Sequence, residues 1–416
     1  MKSSKFVIIG IIFGTILEWY DFSLLGSLAP IISKLFFPSE SATLSLLATF
    51  GVFATGFIAR PIGGLIFGHI GDRSGRKNAL SKTIILMAIP TTLIGLLPTY
   101  QTAGIIAALL LIVLRLMQGF SSSGEYPGAI CVLTEMADSE KHGFIGSLSM
   151  LGTVGGVFLG TVINLILMSL LSNEQMYAWG WRLPFLLGMP LGLIGWYLRK
   201  HLQDSVGFIQ DSREKSEIPI ITLLRTNSLN LIKIILLFSL STISFYMGFV
   251  YIVGYLINNN AITFHDGLVD TAIGTLTLAL LIPTFGYISD KIGREIFIYS
   301  GIGGLLIFFY PIFKVFSLNT PQSLLMGQLC LAVIIAILVG PLAVITSEIF
   351  PSSVRYTGIS AGINIGATVF GGICPFVATY LVQHSGNASM PSAYPMVFAF
   401  LCLFLIGSLN INSMQR

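Results

Sequence analysis

Two polar segments of the same pattern decide the fold of this chain. The first is Gly68-His69-Ile70-Gly71-Asp72-Arg73-Ser74-Gly75-Arg76-Lys77, and its counterpart is Gly286-Tyr287-Ile288-Ser289-Asp290-Lys291-Ile292-Gly293-Arg294-Glu295. Glycine, aspartate, a basic residue, glycine and arginine recur in the same register, and each segment follows a long apolar run. This recurrence indicates that the two halves of the chain are copies of one another.

Apolar runs long enough to cross a membrane occur along the whole sequence. Hydrophobic residues make up 54% of the chain and charged residues 10%, against about 25% charged residues in an ordinary soluble domain. A crossing helix needs about 20 residues, and twelve such runs begin near Phe6, Thr43, Leu80, Gly104, Phe144, Trp181, Leu229, Val269, Ile296, Gln322, Gly358 and Ser392. We therefore predict an all-α integral membrane protein with twelve transmembrane helices in two pseudo-symmetric six-helix bundles.

The longest polar stretch divides these runs into two sets of six. It extends over residues 201–228, which predicts an N-terminal bundle over 1–200, a cytoplasmic linker over 201–228 and a C-terminal bundle over 229–416. Glycines spaced by four also recur at equivalent places, as Gly152, Gly156 and Gly160 in the fifth run and Gly358, Gly362 and Gly366 in the eleventh. Such ladders let two helix backbones approach closely in lipid.

The basic residues predict the orientation of the chain. With both termini in the cytoplasm, most of the 22 Lys and Arg residues, Arg199 among them, fall on the cytoplasmic side, as the positive-inside rule requires. The net charge of +4 therefore reflects membrane orientation and gives no indication of nucleic-acid binding.

Five ionisable residues lie deep inside the predicted spans of the N-terminal half, namely Glu18, Asp21, Arg60, Arg115 and Glu125. A charge at the centre of a bilayer helix costs about 2.5 to 3.5 kcal/mol, so such residues usually face a partner or a water-filled path. On the fourth run, Arg115, Gln118, Ser122 and Glu125 share one helix face. We expect these acids and bases to line one cavity and to take part in moving a solute across the membrane.

This arrangement suits coupling to protons. A carboxylate binds a proton more readily when it is removed from water and less readily beside an arginine, whereas arginine stays charged. We hypothesise that protonation of Glu18 or Asp21, with Glu125 as a second site, frees Arg60 or Arg115 for a substrate carboxylate. No cofactor is expected, because the proton gradient would supply the driving force.

Several motifs carry a resemblance to a known family. They are Glu18-Trp19-Tyr20-Asp21-Phe22, Arg60-Pro61-Ile62-Gly63-Gly64, Arg115-Leu116-Met117-Gln118-Gly119, Gly124-Glu125-Tyr126, Trp179-Gly180-Trp181-Arg182-Leu183-Pro184-Phe185, and Phe350-Pro351 through Val354-Arg355-Tyr356-Thr357-Gly358. With the two repeated segments, the chain resembles the major facilitator superfamily. Within it, the chain is similar to the metabolite:proton symporters, which include carriers of proline and betaine, 2-oxoglutarate, citrate and shikimate.

The resemblance implies a fold and a gating role. Two six-helix bundles would enclose a central cavity, and the repeated segments would hold the cytoplasmic side closed through Asp72, Arg73, Arg76, Asp290 and Arg294. In one respect the chain departs from the family pattern: Pro351 and Arg355 of the second half correspond to Asp138 and His142 in the first. The sequence also ends soon after the twelfth run, so we expect no osmosensing coiled-coil tail.

The substrate is inferred from the same residues. Two deep arginines favour a carboxylate, and the deep acids with aromatic rings nearby would tolerate a cation. A zwitterion such as proline or betaine satisfies both, while an organic-acid symporter and a transporter-like receptor remain alternatives. The candidate binding residues are Arg60, Arg115, Gln118, Tyr20, Tyr126, Tyr251 and Asn364. No nucleophile-base pairing or metal-ligand spacing indicates an enzyme or a metal site. The family resemblance implies a bacterial inner membrane, and we expect a functional monomer.

Overall fold

The computed structural model describes residues 2–39, 42–200 and 219–406, nearly all of them helical. The first half contains the helices Lys2–Ser27, Ala29–Phe36, Ala42–Ile58, Arg60–Ser74, Arg76–Leu96, Tyr100–Ala103, Ile105–Ser122, Glu125–Met136, His142–Leu170, Asn173–Gln175, Arg182–Leu186 and Gly188–Lys200. The second half contains Pro219–Thr226, Ser228–Tyr246, Ile252–Asn258, Phe264–Ile292, Arg294–Phe316, Pro321–Val339, Leu342–Glu348, Arg355–Gly366, Cys374–Ser385 and Ala393–Ile406. Residues 201–218 of the expected linker lie outside the described residues.

Twelve membrane-crossing elements follow from these helices, and we number them spans one to twelve in chain order. They are Lys2–Ser27, 42–74, Arg76–Leu96, Ile105–Met136, His142–Leu170, 182–200, 228–258, Phe264–Ile292, Arg294–Phe316, Pro321–Glu348, Arg355–Ser385 and Ala393–Ile406. Six are built from two helices that follow each other closely, namely spans two, four, six, seven, ten and eleven. Ten spans are long and apolar enough to cross by length and composition, and span twelve is a shorter apolar helix. Span six, built from Arg182–Leu186 and Gly188–Lys200, is also shorter. The starts expected from the sequence agree with the observed starts to within a few residues, so the twelve-helix prediction is confirmed.

Four helix pairs show that the halves are related by symmetry. Span one packs on span five, and span seven packs on span eleven in the same way. Across the two halves, span five packs on span eight, and span two packs on span eleven. Because each pair has a partner displaced by six spans, the two bundles share one plan and meet through two equivalent interfaces.

The glycine ladders lie at these close contacts. A Cβ atom on Gly156 would come within 2.4 Å of a backbone oxygen of span one, and one on Gly362 would come within 2.5 Å of a side chain of span seven. Gly358 differs, because it faces the ring of Phe350 in the preceding turn rather than a neighbouring helix. Spans one and five, and spans seven and eleven, can therefore approach closely because glycine has no side chain.

The repeated segments turn at one glycine each. Gly75 separates spans two and three with a φ of 99°, and Gly293 separates spans eight and nine with a φ of 98°. Their ψ angles, 149° and 144°, are also nearly equal. This backbone conformation is essentially restricted to glycine, which explains why both copies of the segment carry glycine at that position.

Replacing Gly293 by alanine should destabilise the protein through backbone strain alone. No atom of the described residues lies within 4 Å of the position where the new Cβ would stand, so the expected loss of about 1 to 3 kcal/mol comes from the positive φ. Thermal unfolding in detergent measures it. Gly303→Ala is the matched control, because Gly303 has equally open surroundings without a positive φ; equal unfolding temperatures for the two variants would contradict the explanation.

Candidate functional site

A cavity of about 470 Å³ opens between the two halves. We call the end of the molecule that carries residues 68–77 and 286–295 the signature end, and the opposite end the far end. The cavity, here called the vestibule, is lined by the far-end portions of spans one, five, seven and eight. Aromatic rings form much of its wall, and Lys34 is the only charged residue among its described lining residues. The vestibule is therefore apolar and opens at the far end.

A second cavity, the inner chamber, lies between the same two halves and has a volume of about 50 Å³. Trp19, Phe245 and Tyr246 line both cavities and so separate the chamber from the vestibule. The chamber is bordered by residues of spans one, two, four, five, seven, eight, ten and eleven, and Arg60 is the only charged one among its described lining residues. Span seven continues after Tyr246 as a π-turn, Met247–Tyr251, a feature frequent at functional sites.

Arg60 joins the two halves beside this chamber. One guanidinium nitrogen, Nη2, lies 3.3 Å from Oε1 of Glu18 in span one, and Nε donates to the side-chain oxygen of Asn364 in span eleven at 3.0 Å. The guanidinium also lies over the ring of Trp19, 5.6 Å from its centroid. Arg60 Nη1 and Glu18 Oε2 are both buried without a hydrogen-bond partner among the described residues. The pair thus retains one free donor and one free acceptor.

Asp21 and Arg115 belong to a separate hydrogen-bonded chain. Thr91 in span three donates to Oδ2 of Asp21 at 2.8 Å and accepts from the amide of Gln118 at 2.6 Å. Arg115 donates to the side-chain oxygen of Gln118 at 2.9 Å and stacks on Phe22, 4.5 Å from the ring centroid. Asp21 and Arg115 are therefore linked by hydrogen bonds through Thr91 and Gln118 and do not contact each other directly.

Glu125 forms a third cluster. Both of its carboxylate oxygens accept from Arg199 in span six, with Nη1 to Oε2 at 2.5 Å, and Thr83 donates to Oε2 at 2.8 Å. Arg199 also donates to the backbone oxygen of Leu80 at 2.7 Å. Both charged side chains are buried, so the pair ties spans three, four and six together by a bidentate contact.

The single ladder expected along one cavity is not formed by these residues. Of the five deep charges, only Arg60 lines the inner chamber, and the others divide among the three clusters just described. The reason is that spans one and four each pack against several other helices, so polar residues on one helix face can still point to different neighbours. Arg199, expected only as one of the basic residues of the cytoplasmic side, is completely buried.

The predicted binding residues Tyr20, Tyr126, Tyr251 and Asn364 also lie in different places. Tyr126 lines the inner chamber, and Asn364 reaches it through its bond to Arg60. Tyr20 instead donates to the backbone oxygen of Pro184 at 2.7 Å. Tyr251 is buried beside Tyr255, with ring centroids 5.9 Å apart, and lines neither cavity. The structure therefore brings Arg60, Tyr126 and Asn364 together and places the other two tyrosines elsewhere.

Asp72 links the halves at the signature end. Its carboxylate accepts from the backbone nitrogens of Tyr356 and Thr357 at 3.3 and 2.9 Å, and from the Thr357 hydroxyl at 2.7 Å. These groups lie in the first turn of span eleven, where the helix dipole favours a negative charge. Arg76 bonds to Asp72 at 2.5 Å and to Glu135 at 3.2 Å, and Arg73 lies exposed in the same loop.

Asp290, in the second half, makes the equivalent link to span five in the first half. It accepts from the backbone nitrogens of Gly143 and Phe144, in the first turn of span five, at 2.7 and 2.9 Å. Arg294 bonds to Glu348 and lies 3.7 Å from Asp290. We call the contacts around Asp72 the first lock and those around Asp290 the second lock. In the first lock, Arg355 reaches Glu135 across the halves at 3.4 Å, and in the second, His142 lies 3.6 Å from Glu348. Histidine therefore occupies the place that arginine takes in the other copy.

Comparison with known proteins agrees with this architecture. The family model described as sugar (and other) transporter matches residues 7–218 and 199–410. The chain belongs to this family of the major facilitator superfamily. The proline/betaine transporter of Escherichia coli (strain K12) is 33% identical over 404 residues, covering 94% of this chain and 80% of that protein. A glycine betaine/proline/ectoine/pipecolic acid transporter, OusA of Dickeya dadantii (strain 3937), is 32% identical over 401 residues with the same coverage.

Solved structures show the same fold. The proton:xylose symporter XylE bound to 6-bromo-6-deoxy-D-glucose matches with a TM-score of 0.77 at 15% identity, covering 97% of this chain and 95% of that one. An inward-open structure of XylE from E. coli matches with a TM-score of 0.69 at 17% identity, covering 96% and 94%. The protein is thus a multi-pass membrane transporter and not an enzyme.

The contacts of four residues could not be found by sequence reasoning. Arg199 is one basic residue among many on the predicted cytoplasmic side, and Thr91 is an ordinary residue of an apolar span. Trp19 and Tyr246 are aromatic residues of apolar spans, and only the packing shows that their polar hydrogens have no partner among the described residues. One sequence signal existed for Arg199: Gly14 in span one provides the space for it, because a Cβ there would lie 1.6 Å from Nη2.

Proposed function

We propose that this transporter carries a small zwitterionic solute, an osmolyte or amino acid such as proline or betaine, together with protons. The observation that carries the proposal is the Glu18–Arg60 pair beside the inner chamber, with one guanidinium nitrogen left free. The names of the relatives, which describe carriers of proline and betaine, support the same substrate class. The proton gradient and the membrane potential supply the driving force, since one charge crossing 100 mV is worth about 2.3 kcal/mol.

Proton binding would be coupled to substrate binding through the ion pair of Glu18 and Arg60. Arginine keeps its charge, so the state of the pair depends on whether Glu18 carries a proton. An ionised Glu18 holds the guanidinium by charge, whereas a protonated Glu18 releases it to a substrate carboxylate in the chamber. Asp21 is a second candidate site, because its carboxylate has only the Thr91 hydroxyl as a described hydrogen-bond partner. Glu125 is the weakest candidate, because Arg199 holds both of its oxygens.

The locks at the signature end would form the inner gate. The distribution of basic residues supports a cytoplasmic position for this end and for both termini, so the vestibule would open outward. Breaking the Asp72 and Asp290 contacts would let the two bundles rock about the chamber and open it to the cytoplasm, as in other transporters built from repeats. We assign the protein to the bacterial inner membrane as a functional monomer without a cofactor, with bundles over 1–200 and 229–416.

The chamber favours a single carboxylate. Arg60 is the one cation among its described lining residues, and Arg115 lies outside it. A dicarboxylate would therefore bring a second negative charge into an apolar space without a partner, which is costly. A zwitterion is therefore the favoured substrate, and an organic acid is the less favoured alternative.

The proposal is tested by uptake into proteoliposomes under an imposed pH gradient. Labelled glycine betaine and proline should accumulate, and a protonophore should abolish the accumulation. Accumulation of 2-oxoglutarate, citrate or shikimate in their place would favour the organic-acid alternative. Binding of a solute without any accumulation would identify a receptor.

A further inference from the structure

The inner chamber contains donors that its own walls do not satisfy. Arg60 Nη1, Trp19 Nε1 and the Tyr246 hydroxyl are buried and have no hydrogen-bond partner among the described residues. They come from spans two, one and seven, and so from both halves. Buried polar groups are nearly always bonded in native proteins, so three such donors around one cavity indicate a ligand that brings acceptor oxygens.

The remaining wall offers little to a hydrogen-bonding cation. No carboxylate belongs to the described lining residues, which are mainly apolar and aromatic. The neutral aliphatic hydroxyls on the wall are those of Thr153, Ser241 and Thr242. The free oxygen of Glu18 belongs to the pair with Arg60, and Glu18 is not among the described lining residues. A protonated amine would therefore lose hydration of its N–H groups with few acceptors to replace it, whereas a quaternary ammonium has no N–H group and binds well against aromatic faces.

We propose, on the basis of the function proposed above, that Trp19 and Tyr246 join Arg60 in binding the substrate carboxylate and that the chamber selects for methylation of the substrate nitrogen. The carboxylate accepts from the three free donors, and the ammonium group lies against the rings of residues such as Phe245 and Tyr126. Selectivity arises because each methyl group removes one N–H that the chamber cannot pair. Proline, with two N–H groups, should then bind more weakly than glycine betaine.

A methylation series tests this selectivity, because its members share one carboxylate. The KM of uptake should fall from glycine through N-methylglycine and N,N-dimethylglycine to glycine betaine, by about tenfold or more over the series. Choline, which lacks the carboxylate, should not compete. Uptake of all four compounds with equal KM values would overturn the selectivity while leaving the transport proposal intact, and absence of uptake for every zwitterion would count against transport itself.

Two variants test binding of the substrate carboxylate separately from selectivity for methylation of the nitrogen. Trp19→Phe and Tyr246→Phe each remove one donor and keep a ring, so the KM should rise by about fivefold or more for all members of the series with their order unchanged. Tyr394→Phe is the matched control, because its hydroxyl bonds to the backbone oxygen of Phe370 and it lines neither cavity. Unchanged KM values in both chamber variants would remove Trp19 and Tyr246 from the binding site.

A second inference rests on a different observation, the geometry of His142 at the signature end. Its Nε2 lies 2.9 Å from the backbone oxygen of Ala137, and its Nδ1 lies 3.6 Å from Oε1 of Glu348 in the other half. A carbonyl oxygen only accepts, so Nε2 must carry hydrogen. In a neutral ring Nδ1 then has a lone pair facing the carboxylate, and only a protonated ring can donate to Glu348.

We infer that His142 makes the second lock sensitive to pH, in contrast to Arg355 in the first. The other charged groups around the contact are Glu348 and Arg294 from spans ten and nine and Asp290 from span eight. In the chain, Asp138, Glu140 and Lys141 precede His142 and are exposed. Histidine changes its charge between pH 5 and 8. Acid at the signature end therefore strengthens the lock and holds the transporter open at the far end, which limits further proton entry.

Exchange of labelled substrate at equal pH on both sides tests this switch without a driving force. The ratio of His142→Arg to wild-type exchange rates should be near one at about pH 5.5 and fall about two- to fivefold by about pH 8, the range typical of a partly exposed ion pair. His142→Gln should show the opposite dependence, matching wild type only at the higher pH. Ratios independent of pH in both variants would overturn the switch, and no exchange in any variant would count against transport.

Discussion

Asp72→Lys should reduce uptake at least about a hundredfold while the protein still folds. The change removes the acceptor for three groups of span eleven and places a positive charge at the start of a helix, where the dipole opposes it. Hydrogen bonds to charged groups are worth about 1.5 to 3 kcal/mol each, so their loss should strongly shift the equilibrium between the two open states. Uptake by proteoliposomes measures the effect, and thermal unfolding reports folding.

Asp138→Lys is the control for this prediction. Asp138 is an exposed acid at the same end of the molecule, and its side chain makes no helix-capping bond. Its reversal changes surface charge by the same amount without breaking a lock, so uptake should stay close to that of wild type. Normal turnover in Asp72→Lys would show that residues 68–77 do not gate transport and that their basic residues only set the orientation in the membrane.

Arg60→Lys should also lower uptake at least about a hundredfold. Lysine retains a charge beside Glu18, which protects the fold, but it cannot donate to Glu18, Asn364 and a carboxylate in the fixed fork that the guanidinium provides. Each lost bond to a charged group is worth about 1.5 to 3 kcal/mol. The expected loss therefore appears in the KM for substrate as well as in the maximal rate, and uptake over a range of substrate concentrations measures both.

Arg182→Lys provides the comparison. Arg182 donates to the backbone oxygens of Gly95 and Leu97 and borders neither cavity, so the same exchange should leave uptake within about twofold of wild type. Equal rates for Arg60→Lys and Arg182→Lys would exclude Arg60 from the binding site.

The spans, the duplication and the locks could be predicted because their signals are local. A crossing helix shows itself as an apolar run, and Gly75 and Gly293 are needed by the turn in which they stand. Asp72 and Asp290 recur in register, which predicts equivalent positions for the two carboxylates, whereas their partners at the starts of spans eleven and five are known only from the structure. These features depend on neighbouring residues or on a copied pattern, both of which the sequence displays.

The partners of the buried charges could not be predicted because they depend on how helices are rotated. Glu125 and Arg115 share a helix face, yet Glu125 bonds to Arg199 in span six and Arg115 to Gln118 beside it. Arg199 stands 74 residues from Glu125, and no periodicity connects them. The expected ladder failed for this reason, and the coupling role now rests on Glu18 and Arg60, which the structure places together beside the chamber.

Substrate-driven proton uptake by Glu18→Gln proteoliposomes tests the coupling between Glu18 and Arg60 most directly. Glutamine resembles the protonated acid, so labelled substrate should still exchange across the membrane. Addition of substrate should alkalinise the external medium with the wild-type protein and leave it unchanged with the variant, which should also fail to accumulate substrate against a gradient. Wild-type proton uptake and uphill accumulation in Glu18→Gln would contradict the account.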